Sequence, residues 1–418
     1  MAELEELMSD RLGRQCLYVP SCRFALYLAL RHWCPHGGKI LMSPVNDDVI
    51  LFVTLAAGMR PVQAPVSTAD GNIDPDAVPE SVWPQLAAVL TTNLYGQPDR
   101  VAELRTRCDL LGIPLIEDAA HAIGTAIAGR RVGTFGVASA FSLSKHGAAK
   151  AGGFLTFEDP AKRVELSSLR EELLLGRRIS GELLHAVRPA AEATVRGLRL
   201  TRLAWRTVRV LGMDERYAQI RMPLRPDELR AALARSTQPP GPPDRLCPPG
   251  LDALDSWIRV DMHGYRQRQG PAQLRRIHHR LDRIEERMAA RRAGTRLLAR
   301  SPWAPDSLRL SALRPELAQP LFRVPLMVAD RDAMIDQLAR HHITTGYLYD
   351  APLDTYAGAE FTELSPSPEQ AAWFARHALP VDPLQALRVI RLLTEAGARA
   401  APDPPPRLAA PRLRNLQP

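Results

Sequence analysis

Leu115-Ile-Glu-Asp-Ala-Ala-His121, then Phe141-Ser-Leu-Ser-Lys-His-Gly147, then Ala151-Gly-Gly-Phe-Leu-Thr-Phe157, is the stretch on which the reading of this chain turns. Short apolar runs lead into, or out of, chemically active residues. Asp118 and His121 follow the first run, and Ser142 and Lys145 close the second. Short apolar runs bounded by turn formers read as strands. The same pattern continues upstream. Lys39 to Met42, Arg60 to Pro65 and Leu86 to Thr91 read as strands. Phe24 to Trp33, Asp48 to Ala57 and Val101 to Leu111 read as helices, with Gly58 and Gly112 as stops. Strands separated by helices predict crossover connections and a mostly parallel α/β sheet. Ligands of such sheets sit beyond the carboxyl ends of the strands. Asn93, Asp118 and Ser142 each follow a strand-like run, so they could converge there.

A chain of 418 residues is long enough for a large core and more than one domain. Its hydrophobic fraction of 45% and charged fraction of 24% are ordinary for a globular protein. Five cysteines without paired-ligand spacing argue against a disulfide framework or a zinc site, and no metal is expected. The first residues, Met-Ala-Glu-Leu-Glu-Glu-Leu, lack the basic and apolar regions of a signal peptide. No run of about 18 apolar residues is present. A cytoplasmic, reduced protein is expected. The net charge of +8 comes mostly from arginine and reads first as a solvated surface, with anionic ligands as the functional reading. No nucleic-acid partner is expected.

Residues 1–160 form the N-terminal part of a large domain on this reading. Residues 161–250 are a helical, basic insertion closed by a proline-rich linker at 236–250. Residues 251–399 form a smaller α+β domain with its connecting helix. Within it, Arg266 to Leu298 reads as one long helix, Leu321 to Val328 as a strand and Arg331 to Arg340 as a helix. Residues 400–418 are a proline-rich tail, expected to be disordered.

Lys145, Asp118, His121 and Ser142 are the groups that a pyridoxal 5'-phosphate site needs. Lysine makes the Schiff base and later carries a proton. A carboxylate at Asp118 would hold the pyridine nitrogen, against the plainer reading of a helix cap. His121 could reach the phenolic oxygen, although a lone histidine is more often structural. Ser142 could donate to the phosphate. Ser21-Cys22-Arg23 precedes the first helix of the alternating pattern, and amides at a helix start bind anions; a simple cap by Ser21 is equally consistent. Lys150 competes with Lys145 for the Schiff base and ranks second.

These residues carry a resemblance to the DegT/DnrJ-type sugar aminotransferases. Ser21-Cys-Arg-Phe-Ala-Leu26 resembles that family's phosphate-binding turn. Gly58-Met-Arg-Pro-Val62, Asn72-Ile-Asp-Pro75, Asn93-Leu-Tyr-Gly-Gln-Pro98 and Glu117-Asp-Ala-Ala-His121 are similar to further family motifs, as is the segment from Phe141 to Gly153. More weakly, Arg275 to Arg292 and His342-Ile-Thr-Thr-Gly346 with Ala351-Pro-Leu353 extend the likeness. The resemblance implies a fold type I architecture, with a seven-stranded sheet and a small C-terminal domain, and a homodimer. It implies pyridoxal phosphate held by Lys145, Asp118, His121, Asn93, Ser142 and the 21–23 turn. The implied reaction moves an amino group, with glutamate as donor, to a keto group of a nucleotide-linked sugar or related cyclic ketone.

The departures define the alternatives. Ser142 stands closer to Lys145 than the family spacing. Cys22 replaces a turn glycine, Asn93 a histidine and Asp354 another histidine. The 43–49 segment lacks the aromatic residue that stacks on the cofactor ring, with Asp48 as the nearest counterpart. A non-catalytic binding or scaffold protein is one alternative, and a sugar dehydratase using His146 is another. Arg196, Arg199, Arg202, Arg206 and Arg209 would share one helix side. That 194–211 helix reads foremost as a packed insertion, and second as a contact for an anionic membrane surface.

Overall fold

The structure, a computed structural model, describes residues 1–147, 151–177, 224–236, 250–259, 264–346 and 348–407. Lys150, the 194–211 arginine segment and most of the proline-rich linker lie outside the described residues.

Seven strands build one sheet: β1 (Gln15–Val19), β2 (Lys39–Met42), β3 (Arg60–Gln63), β4 (Leu86–Thr91), β5 (Leu115–Asp118), β8 (Ala138–Ser142) and β9 (Gly153–Phe157). The short pair β6 (Ala126–Ile127) and β7 (Arg130–Arg131) forms a separate hairpin. The sheet order is β1-β9-β8-β5-β4-β2-β3. Strands β3, β2, β4, β5 and β8 pair in parallel, and β9 runs antiparallel to both β8 and β1. The mostly parallel α/β sheet expected from the alternating pattern is present, with β9 as its one reversed strand.

Helices α1 (Ala2–Leu12), α2 (Cys22–Trp33), α3 (Asp48–Ala56), α4 (Val101–Leu111) and α5 (Arg163–Leu173) are the α-helices among the described residues up to 177. Strand periodicity assigns the two sheet faces. Ala138 and Ala140 of β8 and Leu155 and Phe157 of β9 face a core with α2, α3 and α5. Phe141 and Phe154 point the other way, into a core with Leu4 and Met8 of α1. Small alanines on β8 let the wholly buried face of α2 lie close to the sheet.

Next come α6 (Pro226–Ser236), α7 (Asp255–Ile258), α8 (Pro271–Asp282), α9 (Ile284–Ala299) and α10 (Asp306–Leu313). Helices α6 and α7 add Leu229, Trp257 and Ile258 to the α2–α3 core. The single helix expected over 266–298 is instead two. Pro271 opens α8 at a position where its missing N–H costs nothing, and the chain leaves helical geometry at Arg283 before α9 begins. Ile277, Leu281, Ile284 and Met288 from this pair close the core under Phe141.

The C-terminal elements are β10 (Val324–Met327), α11 (Arg331–Arg340), α12 (Leu353–Ala357), α13 (Pro368–His377), β11 (Ala378–Val381) and α14 (Ala386–Glu395). β10 and β11 form an antiparallel pair, packed with Leu298, Leu338, Val389 and Leu393 in a core of their own. A further cluster joins the two halves, with Val45, Val66 and Tyr95 against Met327, Tyr349 and Phe374.

Residues 400–407 depart from the disorder expected of the tail. Ala401 N–H donates to Met327 O, beside a bridge between Ala400 and Val328. Arg407 grips Asp74 with two hydrogen bonds of 2.7 and 2.6 Å and also reaches Asp76 at 3.1 Å. Proline keeps this stretch extended, which suits a chain laid along an edge strand, and the arginine clasp fixes its end. Among the described residues, no helix is long and apolar enough to cross a membrane.

Candidate active site

The carboxyl ends of β4, β5 and β8 share one edge of the sheet, because these strands are parallel. The N-terminus of α2 and the start of the reversed β9 meet them there. The contact is close. A Cβ at Gly153 would come within 2.8 Å of Cys22 N and 2.5 Å of Phe141 O, so only glycine fits. Gly152 before it holds a φ of 99°, a glycine conformation.

A cavity opens at this edge. Ser21, Cys22, Arg23, Asp118, His121, Ser142 and Lys145 all line it. Residues 115–145 therefore deliver their functional groups to one place, together with the turn before α2. Ser21 caps α2 by accepting from Phe24 N–H at 3.3 Å, and its hydroxyl donates to Tyr265 O at 2.6 Å. Arg23 turns its guanidinium to Ile258 O at 2.8 Å. The Ser142 and Ser144 hydroxyls are 2.8 Å apart.

Asp118 is buried. Its Oδ1 accepts from Ala120 N–H at 2.9 Å, and the Cys22 thiol lies 3.8 Å away. Burial pushes its carboxyl up to about 7, against the opposing pull of that amide and of Lys145. His121 is held well below the ordinary histidine value, first by burial and then by Lys145, His146 and Arg323. It is a neutral imidazole at physiological pH. Its ring lies nearly parallel to Phe322 at 4.9 Å and to Tyr95 at 6.2 Å. Lys145 Nζ is 5.7 Å from the centre of the same Phe322 ring.

Asn93, expected at the cofactor, is not among the lining residues. It is buried behind the cavity, where Nδ2 donates to Asp118 O at 3.0 Å and Oδ1 accepts from Asp99 N–H at 3.0 Å. An amide has a donor and an acceptor for these two backbone groups at once. Asp48 does not reach the cavity either. It is buried in the first turn of α3, and its neighbour Asp47 lines the wall. His146, the residue of the dehydratase alternative, is buried and is not among the lining residues; its Nε2 lies 2.6 Å from His121 O.

Several contributors were missed in the sequence. Tyr265 and Tyr349 line the cavity from far along the chain. Glu117, quoted only as part of a motif, is fully buried, and its carboxylate accepts from Gly133, Phe135 and Gly136 N–H at 2.6–2.8 Å. The alternation of β5 placed it opposite Asp118, on the side away from the cavity. Glu117→Gln keeps the volume but replaces one acceptor oxygen with a donor. An unsatisfied buried amide costs about 1–3 kcal/mol. We expect the variant to lose about that much or more, read as a lower urea midpoint at unchanged m-value.

The fold is that of the type I aminotransferase-like α/β proteins, with a mostly parallel sheet flanked by helices. Within that class, residues 1–180 match the model of the DegT/DnrJ/EryC1/StrS aminotransferase family. The chain is 31% identical over 162 residues to the spore coat polysaccharide biosynthesis protein SpsC of Bacillus subtilis, covering 38% of this chain and 42% of that protein. It is 40% identical over 120 residues to GDP-perosamine synthase of Vibrio cholerae, covering 28% and 33%. The matched part thus spans less than half the length of these curated relatives. Among solved structures, the Escherichia coli GDP-4-keto-6-deoxy-D-mannose-3-dehydratase with bound hydrated PLP superposes with a TM-score of 0.61 at 16% identity, over 94% of this chain and 90% of that one.

Proposed function

We propose that this protein is a pyridoxal phosphate-dependent aminotransferase that acts on a keto group of a nucleotide-linked sugar or a related cyclic ketone, with glutamate as amino donor. One observation carries the reading: Lys145 and Asp118 line the same cavity, beside the N-terminus of α2.

The residues present suit the cofactor. Among the described residues, both hydrogen-bond contacts of the buried Asp118 carboxyl fall on Oδ1, which leaves Oδ2 for a ring N–H. The close approach of Gly153 to the 21–22 turn leaves the α2 amides clear of side chains on that flank. Bound pyridoxal phosphate supplies an aldehyde for the amino group and a ring that withdraws electrons from the reacting carbon.

The chain's own groups do the rest. Lys145 provides the nucleophilic Nζ and then carries a proton to and from the substrate carbon. Asp118 accepts from the ring nitrogen and favours its charged form. Neutral His121 hydrogen-bonds the ring oxygen without adding a competing charge. The backbone amides of Cys22 and Arg23 at the start of α2, beside the Ser21 cap, hold the phosphate together with the Ser142 hydroxyl. Asn93 fixes the peptide that carries Asp118. Asp47 and Tyr349 shape the substrate's side of the cavity.

The matches to polysaccharide and perosamine biosynthesis proteins support a sugar ketone as acceptor. A homodimer in the cytoplasm is part of the same reading. Titrating the purified protein with pyridoxal phosphate tests it. An absorbance band near the visible edge that bleaches with glutamate is the expected result. A protein that develops no such band would overturn the assignment.

A further inference from the structure

We infer that His146 is a positioning residue, whose ring ties the turn carrying Lys145 to the backbone of His121. The inference rests on the reading of Lys145 and His121 as working groups of the cavity.

The ladder of β8 ends where Leu143 N–H donates to Gly152 O, and Lys145 lies two residues beyond that bond. His146 follows directly and is fully buried. Its Nε2 is 2.6 Å from His121 O. A carbonyl only accepts, so Nε2 carries the hydrogen and the ring is the donor. The ring also meets Phe322 edge-on at 5.6 Å. That same Phe322 stacks on His121 and lies under Lys145 Nζ. On the other side, Arg287 of α9 donates to His146 O at 3.1 Å. Residue 146 is thus held through its backbone by the helix pair and holds His121 through its ring.

The ring stays neutral. Burial, followed by the nearby guanidiniums of Arg291, Arg323 and Arg287, pushes its ionisation down to about 3. Nδ1 therefore stays unprotonated over the ordinary pH range, and the ring's one hydrogen is the one Nε2 donates. The other ring nitrogen, Nδ1, is buried with no partner among the described residues. A bare buried acceptor is unfavourable. Leucine would fill similar space without it, so what histidine alone contributes here is the bond to His121. That bond spans 25 residues of chain and ties the turn carrying Lys145, after β8, to His121, after β5.

The test compares His146→Leu, His146→Gln and Arg287→Ala. Glutamine offers an N–H at a reach similar to that of Nε2, and leucine offers none. In the Leu variant, pyridoxal phosphate affinity is expected to fall by about tenfold, the scale of one hydrogen bond. The absorbance band should change its pH midpoint, and kcat should fall with little change in KM for the donor. Without cofactor, amide exchange at 121–123 and 144–147 should quicken. The Gln variant should recover most of each effect. Arg287→Ala, which loosens only the backbone tie, should speed exchange at 144–147 and serves if the Leu variant does not fold. Wild-type affinity and exchange in His146→Leu would overturn the inference, and so would equal losses in the Leu and Gln variants. If wild-type protein itself binds no pyridoxal phosphate, the proposed function falls, while the exchange comparison still decides the tie.

Discussion

Lys145→Ala is expected to yield a folded protein whose transamination is slower by about a thousandfold or more. The lysine has two tasks on the proposed reading, nucleophile toward the aldehyde and proton carrier at the substrate carbon. General acid–base catalysis alone contributes about 10²–10⁴-fold, and loss of the nucleophile adds to it. Folding should survive, because Lys145 is only partly buried and borders an open cavity. Its removal leaves no sealed void of the kind that makes core truncations costly. The absorbance band of the bound cofactor should move to that of the free aldehyde. The matching Lys150→Ala variant should keep the band and most of the turnover. The opposite pattern, with Lys150→Ala inactive and Lys145→Ala active, would transfer the role to the second lysine.

Most elements between Phe24 and Phe157 were legible in the sequence because they obey local rules, whereas α1, β1 and the β6–β7 hairpin were not read. Glycine stops such as Gly58 and Gly112 mark helix ends through the positive φ they adopt there. Strand endings at Asp118 and Ser142 place functional groups at the carboxyl edge of a parallel sheet. Periodicity has no term for direction, so the reversal of β9 could not be read from Phe154 to Phe157. It is equally silent on which flank of a turn faces a cavity. Asp47 and Asp48 are adjacent carboxylates with identical propensities, and only the winding of α3 sends one to the wall and the other inward. Asn93 follows a strand end as Asp118 does, yet its amide is used up by two backbone groups. Tyr349 and Phe322 come from more than 170 residues beyond Lys145, and no local signal links them to it. The 400–407 stretch shows the limit of composition. Prolines predict the absence of helix, which is correct, but not whether an extended chain finds an edge and an acid pair to grip.

Asp118→Asn should separate stability from activity, with opposite signs. In the cofactor-free protein the buried Asp118 carboxyl ionises at about 7, whereas an unfolded aspartate ionises near 3.9. A folded value raised above the unfolded one means that protonation favours the fold. The contribution is present in full below about pH 4 and is lost as pH rises through about 7. Above that, the folded protein carries a buried charge that costs about 4 kcal/mol, from about three pH units at 1.36 kcal/mol each. Asparagine is neutral, nearly isosteric and still able to accept from Ala120 N–H. At pH 8 the cofactor-free variant should therefore melt several degrees higher than wild type, with ~2–4 °C per kcal/mol as the scale for a large domain. The gain should shrink toward pH 5. Some pH slope should remain, because burial also raises Asp99 to about 7 and Asp70 to about 6. Turnover should move the other way and fall by about a hundredfold or more, the scale for losing one preorganised electrostatic partner. Cofactor affinity should fall with it, since the ring N–H meets an amide in place of a carboxylate. Such a trade of stability for function is common at sites whose groups are arranged for a ligand. A variant that is both less stable at pH 8 and equally active would instead make Asp118 the helix cap that its position after β5 also allows.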